Sequence, residues 1–271
     1  MKIFAIGDLH LSFGPGVEKP MDRFGEEWVN HAERLRANWM KEISPVDTVI
    51  ICGDISWGLR LEEAAADFEW IRGLPGKKLL FKGNHDLWWQ SAGKLNRLYG
   101  DENLIFVQNT AEIVTAGGPP ESSPPESSPS ESGSPECSPP ESGSPEILET
   151  PKKIAVCGSR GWICPGDDFF GQDDKKIYER ELMRLEMSLQ DGVKKGADEI
   201  IGVLHFPPTN DKLQPSGFTE LMSSYGVKTC VYGHLHGKEV FPKGMKGIFN
   251  GVRYELVSLD YLGARPKEVR S

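Results

Sequence analysis

"LLFKGNHDLWW", Leu79 to Trp89, sets an apolar run directly before an amide, an imidazole and a carboxylate, and then two tryptophans. A run of that kind reads as a buried strand. A turn after it has use for Asn84 and Asp86, but no particular need of His85. Elsewhere the chain repeats the arrangement. Short apolar runs occur at Ile3–Ile6, Thr48–Cys52, Lys78–Phe81, Leu104–Val107, Ile154–Cys157, Ile200–Leu204 and Lys228–Tyr232. Five of them end in chemistry: "GDLH" (Gly7–His10), "GDIS" (Gly53–Ser56), "GNHD" (Gly83–Asp86), "LHFPP" (Leu204–Pro208) and "GHLH" (Gly233–His236). Five of the six histidines fall in these groups.

Helical patterns lie between the runs, at Glu26–Ile43, Leu61–Ile71, Leu87–Tyr99, Asp173–Lys194 and Gly217–Tyr225. In the fourth, apolar residues at 178, 182, 185, 189 and 193 keep helix spacing. "GIFNGVRYELVSLDYL" near the end reads as a strand pair. Early strand–helix alternation followed by hairpins predicts an α/β fold of stacked sheets covered by helices. In such sheets ligands bind beyond the carboxyl ends of the strands.

The 271 residues, 38% of them apolar, suit one large domain or two small ones. The net charge of −9 excludes a broadly basic nucleic-acid or anionic-membrane face. Much of that charge is local. Residues 117–148 carry six glutamates and no Lys or Arg, so the remainder is only −3. This stretch is a Pro/Ser/Glu/Gly pentad repeat, with Glu at 121, 126, 131, 136, 141 and 146. It cannot bury enough apolar area to offset chain entropy, and it reads as a disordered acidic insert at 117–150. "AEIVTA" before it and "KKIAVCG" after it read as strands of one hairpin whose turn has expanded. Neutral repeat expansion is its default reading; docking of a protein partner is the alternative. The five cysteines include no Cys-x-x-Cys pair, and no stretch approaches a membrane span. A cytoplasmic protein with reduced thiols is the expectation.

The donor set points to metal. Asp-x-His and His-x-His can reach one centre if the chain bends where the strand stops. Mixed carboxylate and imidazole ligands suit Mn²⁺, Fe or Zn²⁺. Asp8, Asp54, Asn84, His10, His205, His234 and His236 are too many for one ion and suit two that share a carboxylate.

These five groups, in this order, resemble the motifs of the calcineurin-like metallophosphoesterase superfamily, with the pentad insert as the one large departure. The resemblance implies a four-layer αββα sandwich of two mixed sheets flanked by helices, with the metal site at the carboxyl ends of the strands. It would form a single domain over 1–263 with a tail at 264–271. It implies two divalent ions, Mn²⁺ first among them. Asp8, His10 and His236 would hold one, Asn84, His205 and His234 the other, and Asp54 would bridge. It implies hydrolysis of a small phosphorylated substrate by solvent activated between the ions, with His85 as general acid and Asp86 hydrogen-bonded to His85. Arg160, in "SRGW", would bind a phosphate oxygen.

Within that superfamily, Ser/Thr protein phosphatases show Gly-Asp-x-x-Asp-Arg-Gly and Gly-Asn-His-Glu. This chain has "GDISWG" and "GNHD" and lacks that arginine; its "GDLHLS" and "GNHD" look closer to the phosphodiesterase and repair-nuclease branches. A nuclease would want a basic groove, and a lipid-pyrophosphate hydrolase a basic amphipathic element. A silent scaffold would have lost ligands, and none is missing here. Trp57, Trp88, Trp89 and Trp162 are expected to cap the core, with an aromatic wall beside the site as the alternative. His31 is expected to be an ordinary packing or surface histidine.

Overall fold

Residues 1–116 and 151–270 are described in the computed structural model; the acidic insert at 117–150, Cys137 within it and Ser271 lie outside them. β1 (Ile3–Ile6), β2 (Thr48–Ile51), β3 (Lys77–Leu80) and β4 (Leu104–Phe106) pair in parallel in that order. Parallel neighbours need a crossover, and helices supply each one. These are α1 (His31–Glu42), α2 (Leu61–Arg72) and α3 (Ala92–Tyr99).

The second sheet has the order β5 (Ala111–Ala116), β6 (Lys152–Gly158), β7 (Glu199–Val203), β8 (Thr229–Tyr232), β10 (Val252–Leu256) and β9 (Gly247–Phe249). α4 (Gln172–Lys194) and α5 (Gly217–Ser224) make its crossovers. β5 and β6 pair antiparallel on either side of the insert, as the expanded hairpin requires.

The burial pattern explains the layering. All four residues of β1 and of β2 are buried, because both faces are covered. Ile3 and Ala5 meet β6, β7 and β8 between the sheets, through Ile154, Val156, Ile201, Val203 and Val231. Phe4 and Ile6 point the other way, against Leu35 and Trp39 of α1 and Phe68 of α2. α4 and α5 cover the second sheet through Leu185, Leu189, Phe218 and Met222. Each such fully buried aliphatic or aromatic side chain stabilises by about 1.5–3 kcal/mol. The result is the four-layer αββα sandwich.

Three local readings change. The helix expected from Glu26 begins only at His31, because Asn30 takes a left-handed conformation at φ 48°. The helix expected from Leu87 begins at Ala92, where the Ser91 hydroxyl accepts from Lys94 N at 3.3 Å. The residues before it turn Trp88 and Trp89 into the core. In the stretch expected as a tail, β11 (Lys267–Arg270) pairs antiparallel with β1. "KEVR" carries no strand-like apolar alternation, and the open edge of β1 supplies the hydrogen-bonding template.

Candidate metal centre

Every expected ligand sits just past a strand end. Asp8 and His10 follow β1, Asp54 follows β2, Asn84 follows β3, His205 follows β7 and His234 follows β8. The bend at those ends is severe. Asp8, His10, Asp54 and His234 all have positive φ, at 60°, 45°, 49° and 72°. Strain of this kind is confined to sites where surrounding structure enforces it. Here backbone bonds lace the loops together: Asp8 N donates to Gly53 O, His10 N to Asp54 O and Gly233 N to His205 O. Two glycines allow the close approach. A Cβ on Gly83 would collide with Asp54, and one on Gly233 with the Asp8 carboxylate.

The seven side chains form two adjoining sets. Asp8, His10 and His236 converge in the first, with Asp8 Oδ1 3.4 Å from His236 Nε2. In the second, His205 Nε2 lies 2.7 Å from Asn84 Oδ1, 3.3 Å from His234 Nδ1 and 3.4 Å from Asp54 Oδ2. Asp54 Oδ2 is also 3.8 Å from His10 Nε2, so one oxygen faces both sets. Asp8 also belongs to a group with Asp54 and His205, which makes the two sets contiguous.

The donor chemistry fits cations. Asp8 and Asp54 are 0% and 1% exposed. Burial and the charge of Asp8 push the Asp54 carboxyl up to about 8, and attraction to His236, opposing burial, holds Asp8 well below its usual range. His205 Nδ1 lies 2.9 Å from the Cys52 carbonyl. A proton placed on Nδ1 to donate there leaves a lone pair on Nε2, facing the oxygens of Asn84 and Asp54. Acceptors converging on acceptors in a buried site call for a positive charge between them. His10 Nδ1 and His236 Nε2 are buried without a hydrogen-bond partner among the described residues.

Asp260 is a residue that the motifs did not disclose. Its Oδ1 is 3.0 Å from His236 Nδ1, and its Oδ2 accepts from Gly237 N at 3.0 Å. This holds the His236 ring so that Nε2 faces Asp8. The only sequence signal is an aspartate closing "VSLD" after β10, which resembles many turns.

His85 is exposed, its ring free of hydrogen bonds among the described residues and tilted 4.6 Å from Trp57. Burial, reinforced by His205 and His236, lowers its pKa. Asp86 does not hydrogen-bond His85, contrary to what the family resemblance implied. Both its oxygens are taken by backbone N–H groups of Gly83, Asp54, Ile55 and Ser56. It clamps the loop after β3 to the loop after β2, and burial followed by the Asp54 charge raises its pKa to about 7.

Arg160 also lies outside the convergence. Its guanidinium is 3.7 Å from Glu181 and stacks over Trp162 at 4.5 Å, while its carbonyl accepts from His205 N. With Lys82 and Arg184 it borders a small hollow, separate from the main cleft. Trp88 and Trp89 are core residues, as expected, but Trp57 lines the cleft and stacks on His10 at 4.6 Å. Trp28, in the short 3₁₀ turn Glu26–Trp28 that precedes α1, packs edge-on against His10 and His236. His31 is a packing histidine whose Nε2 lies 3.0 Å from the Leu9 carbonyl.

No helix among the described residues is long and apolar enough to cross a membrane. The family described as calcineurin-like phosphoesterase matches residues 1–238. No curated protein matches the sequence. Among solved structures, a protein of unknown function from Aquifex aeolicus, AQ665, is 14% identical over 98% of this chain and 94% of its own, with a TM-score of 0.40. Phosphopantetheinyl hydrolase (PptH) from Mycobacterium tuberculosis is 15% identical over 95% of this chain and 88% of its own, with a TM-score of 0.47.

Proposed function

The chain belongs to the calcineurin-like phosphoesterase family, and from that premise we propose that it hydrolyses a small phosphoester with the aid of two divalent ions. The observation that carries the two-ion reading is the single Asp54 oxygen facing His10 on one side and His205 on the other. Asp8, His10 and His236 would hold one ion, Asn84, His205 and His234 the other, and Asp54 both. Mn²⁺ suits the mixed carboxylate, amide and imidazole donors. Two bound divalent ions supply Lewis-acid polarisation of phosphoryl oxygens and activation of water at neutral pH.

The chain's own groups do the rest. The left-handed turns at Asp8, His10, Asp54 and His234 hold the donors in place before substrate arrives. The Asp86 clamp keeps Asn84 and Asp54 on a common base. His85 stands at the cleft with its ring unengaged, in position to give a proton to the leaving oxygen. A substrate phosphate beside that ring would offset its lowered pKa and favour the donating form.

The test is metal analysis together with turnover of bis-p-nitrophenyl phosphate and p-nitrophenyl phosphate in Mn²⁺. We expect two ions per chain and metal-dependent release of p-nitrophenol. The ratio of the two rates separates diesterase from monoesterase. Absence of turnover on both, with two ions bound, would leave a metal-binding scaffold as the reading.

A further inference from the structure

A cavity of about 500 Å³ adjoins His10, His85 and His236. It reaches the first ligand set and His85, and none of Asn84, His205 or His234 lines it. If phosphate sits over the ligands, the cavity therefore extends from the His85 side, where the leaving oxygen would be. Its size falls within the range of about 300–1,000 Å³ typical of small-molecule sites, well beyond what a phosphate alone needs.

The walls are largely aromatic and come from three segments. The stretch between β1 and α1 supplies Phe24 and Trp28, the loop after β8 supplies Phe241, and Trp57 stands at the His85 end. Lys238 Nζ reaches Glu27 Oε1 at 2.8 Å and ties the first two segments together. That pair cancels its own charge, and the remaining lining carboxylate, Asp260, is committed to His236 and Gly237. Phe24 is 70% exposed, with its ring turned into the cavity margin, where an apolar ligand would cover it.

Resting on the phosphoesterase reading, we propose that this cavity binds the leaving group of the substrate and selects a planar aromatic one, of nucleobase or aryl size. The aromatic faces and edges offer stacking and edge contacts. Glu27 neutralises Lys238, and Lys19 Nζ lies 5.5 Å from the Trp57 ring, where a cation also favours an aromatic ligand. Residues 12–30 reach outward between β1 and α1 and serve as the specificity wall.

The experiment measures binding and turnover separately on the Mn²⁺-loaded full chain. Calorimetry compares phenethylphosphonate with propylphosphonate, which cannot be hydrolysed. Kinetics compare benzyl with ethyl phosphate, each as monoester and as methyl diester; the two leaving alcohols have nearly equal acidity, so the ring is the difference. We expect a preference of about 10-fold or more for the ring in both assays, from its apolar area removed from water. Phe24→Ala and Phe241→Ala should each reduce that preference, whereas Met187→Ala on the outer face of α4 should not. Trp57 is left intact because it touches His10 and His85.

Equal affinity for the two phosphonates, or a preference that survives both phenylalanine substitutions, overturns the assignment while leaving phosphoester hydrolysis in place. Ring-selective binding that is lost in those variants, with no ester cleaved, upholds the cavity and refutes the hydrolase reading instead.

Discussion

Asp260→Asn isolates the least conspicuous part of the proposed metal centre. In the native protein one carboxylate oxygen faces His236 Nδ1 and accepts from Tyr261 N, and the other accepts from Gly237 N, all at 3.0 Å. Asparagine has the same shape but only one acceptor. In either orientation its NH₂ meets a backbone N–H, of Gly237 or of Tyr261, and where its oxygen keeps Gly237 the NH₂ also faces Nδ1. Two donors cannot share that contact, so the ring proton moves to Nε2, the nitrogen 3.4 Å from Asp8 and directed at the first ion. A hydrogen bond to a charged group contributes about 1.5–3 kcal/mol. Partners that orient metal-binding histidines are worth about 10–100-fold in affinity. At 1.4 kcal/mol per tenfold, the two ranges agree, at about 1.4–2.8 kcal/mol. The second set does not touch Asp260 and serves as the internal reference. Competition of Mn²⁺ against a chromogenic chelator should show one ion bound 10–100-fold more weakly and the other little changed. Two unaltered affinities in a folded variant would refute the orienting role.

His85→Ala should retain both ions and lose about 10²–10⁴-fold in kcat on esters with poor leaving groups, with a smaller loss on p-nitrophenyl esters; equal losses on both would exclude proton donation. Gly83→Ala should lower stability by about 1–3 kcal/mol in thermal or urea melts, because its Cβ must displace Asp54; a wild-type melting temperature would show that the loops do not need this contact. Removing ions with EDTA should lower the melting temperature, and Mn²⁺ at about 100 times Kd should restore about 2.7 kcal/mol per site; a melt indifferent to Mn²⁺ argues against metal at these residues. Deleting 119–148 should keep fold and turnover, since β5 and β6 pair across the junction and loop closure changes by only about 0.6 kcal/mol per halving of length; loss of either points to a role for the insert.

The amino-acid sequence by itself marked out the strands that carry the site, their helical crossovers and the seven candidate donors that the structure brings together. The reason is local: an apolar run followed by Gly and then Asp, Asn or His describes a strand and its end within a few residues. Which donor faces which was a tertiary matter. Asp8 meets the His234 backbone across 226 positions, and Asp54 lies between the sets only because β1, β2 and β7 bring their ends to one place. The family resemblance misled in the case of Asp86. It stands next to His85 in the chain, yet its oxygens are taken chiefly by N–H groups about 30 residues earlier. Asp260, β11 and the Trp28 wall escaped notice for the converse reason. None carries a local pattern that distinguishes it from an ordinary turn, tail or helix, and each acquires its place from a distant partner: His236, β1 and the two ligand histidines beside Trp28.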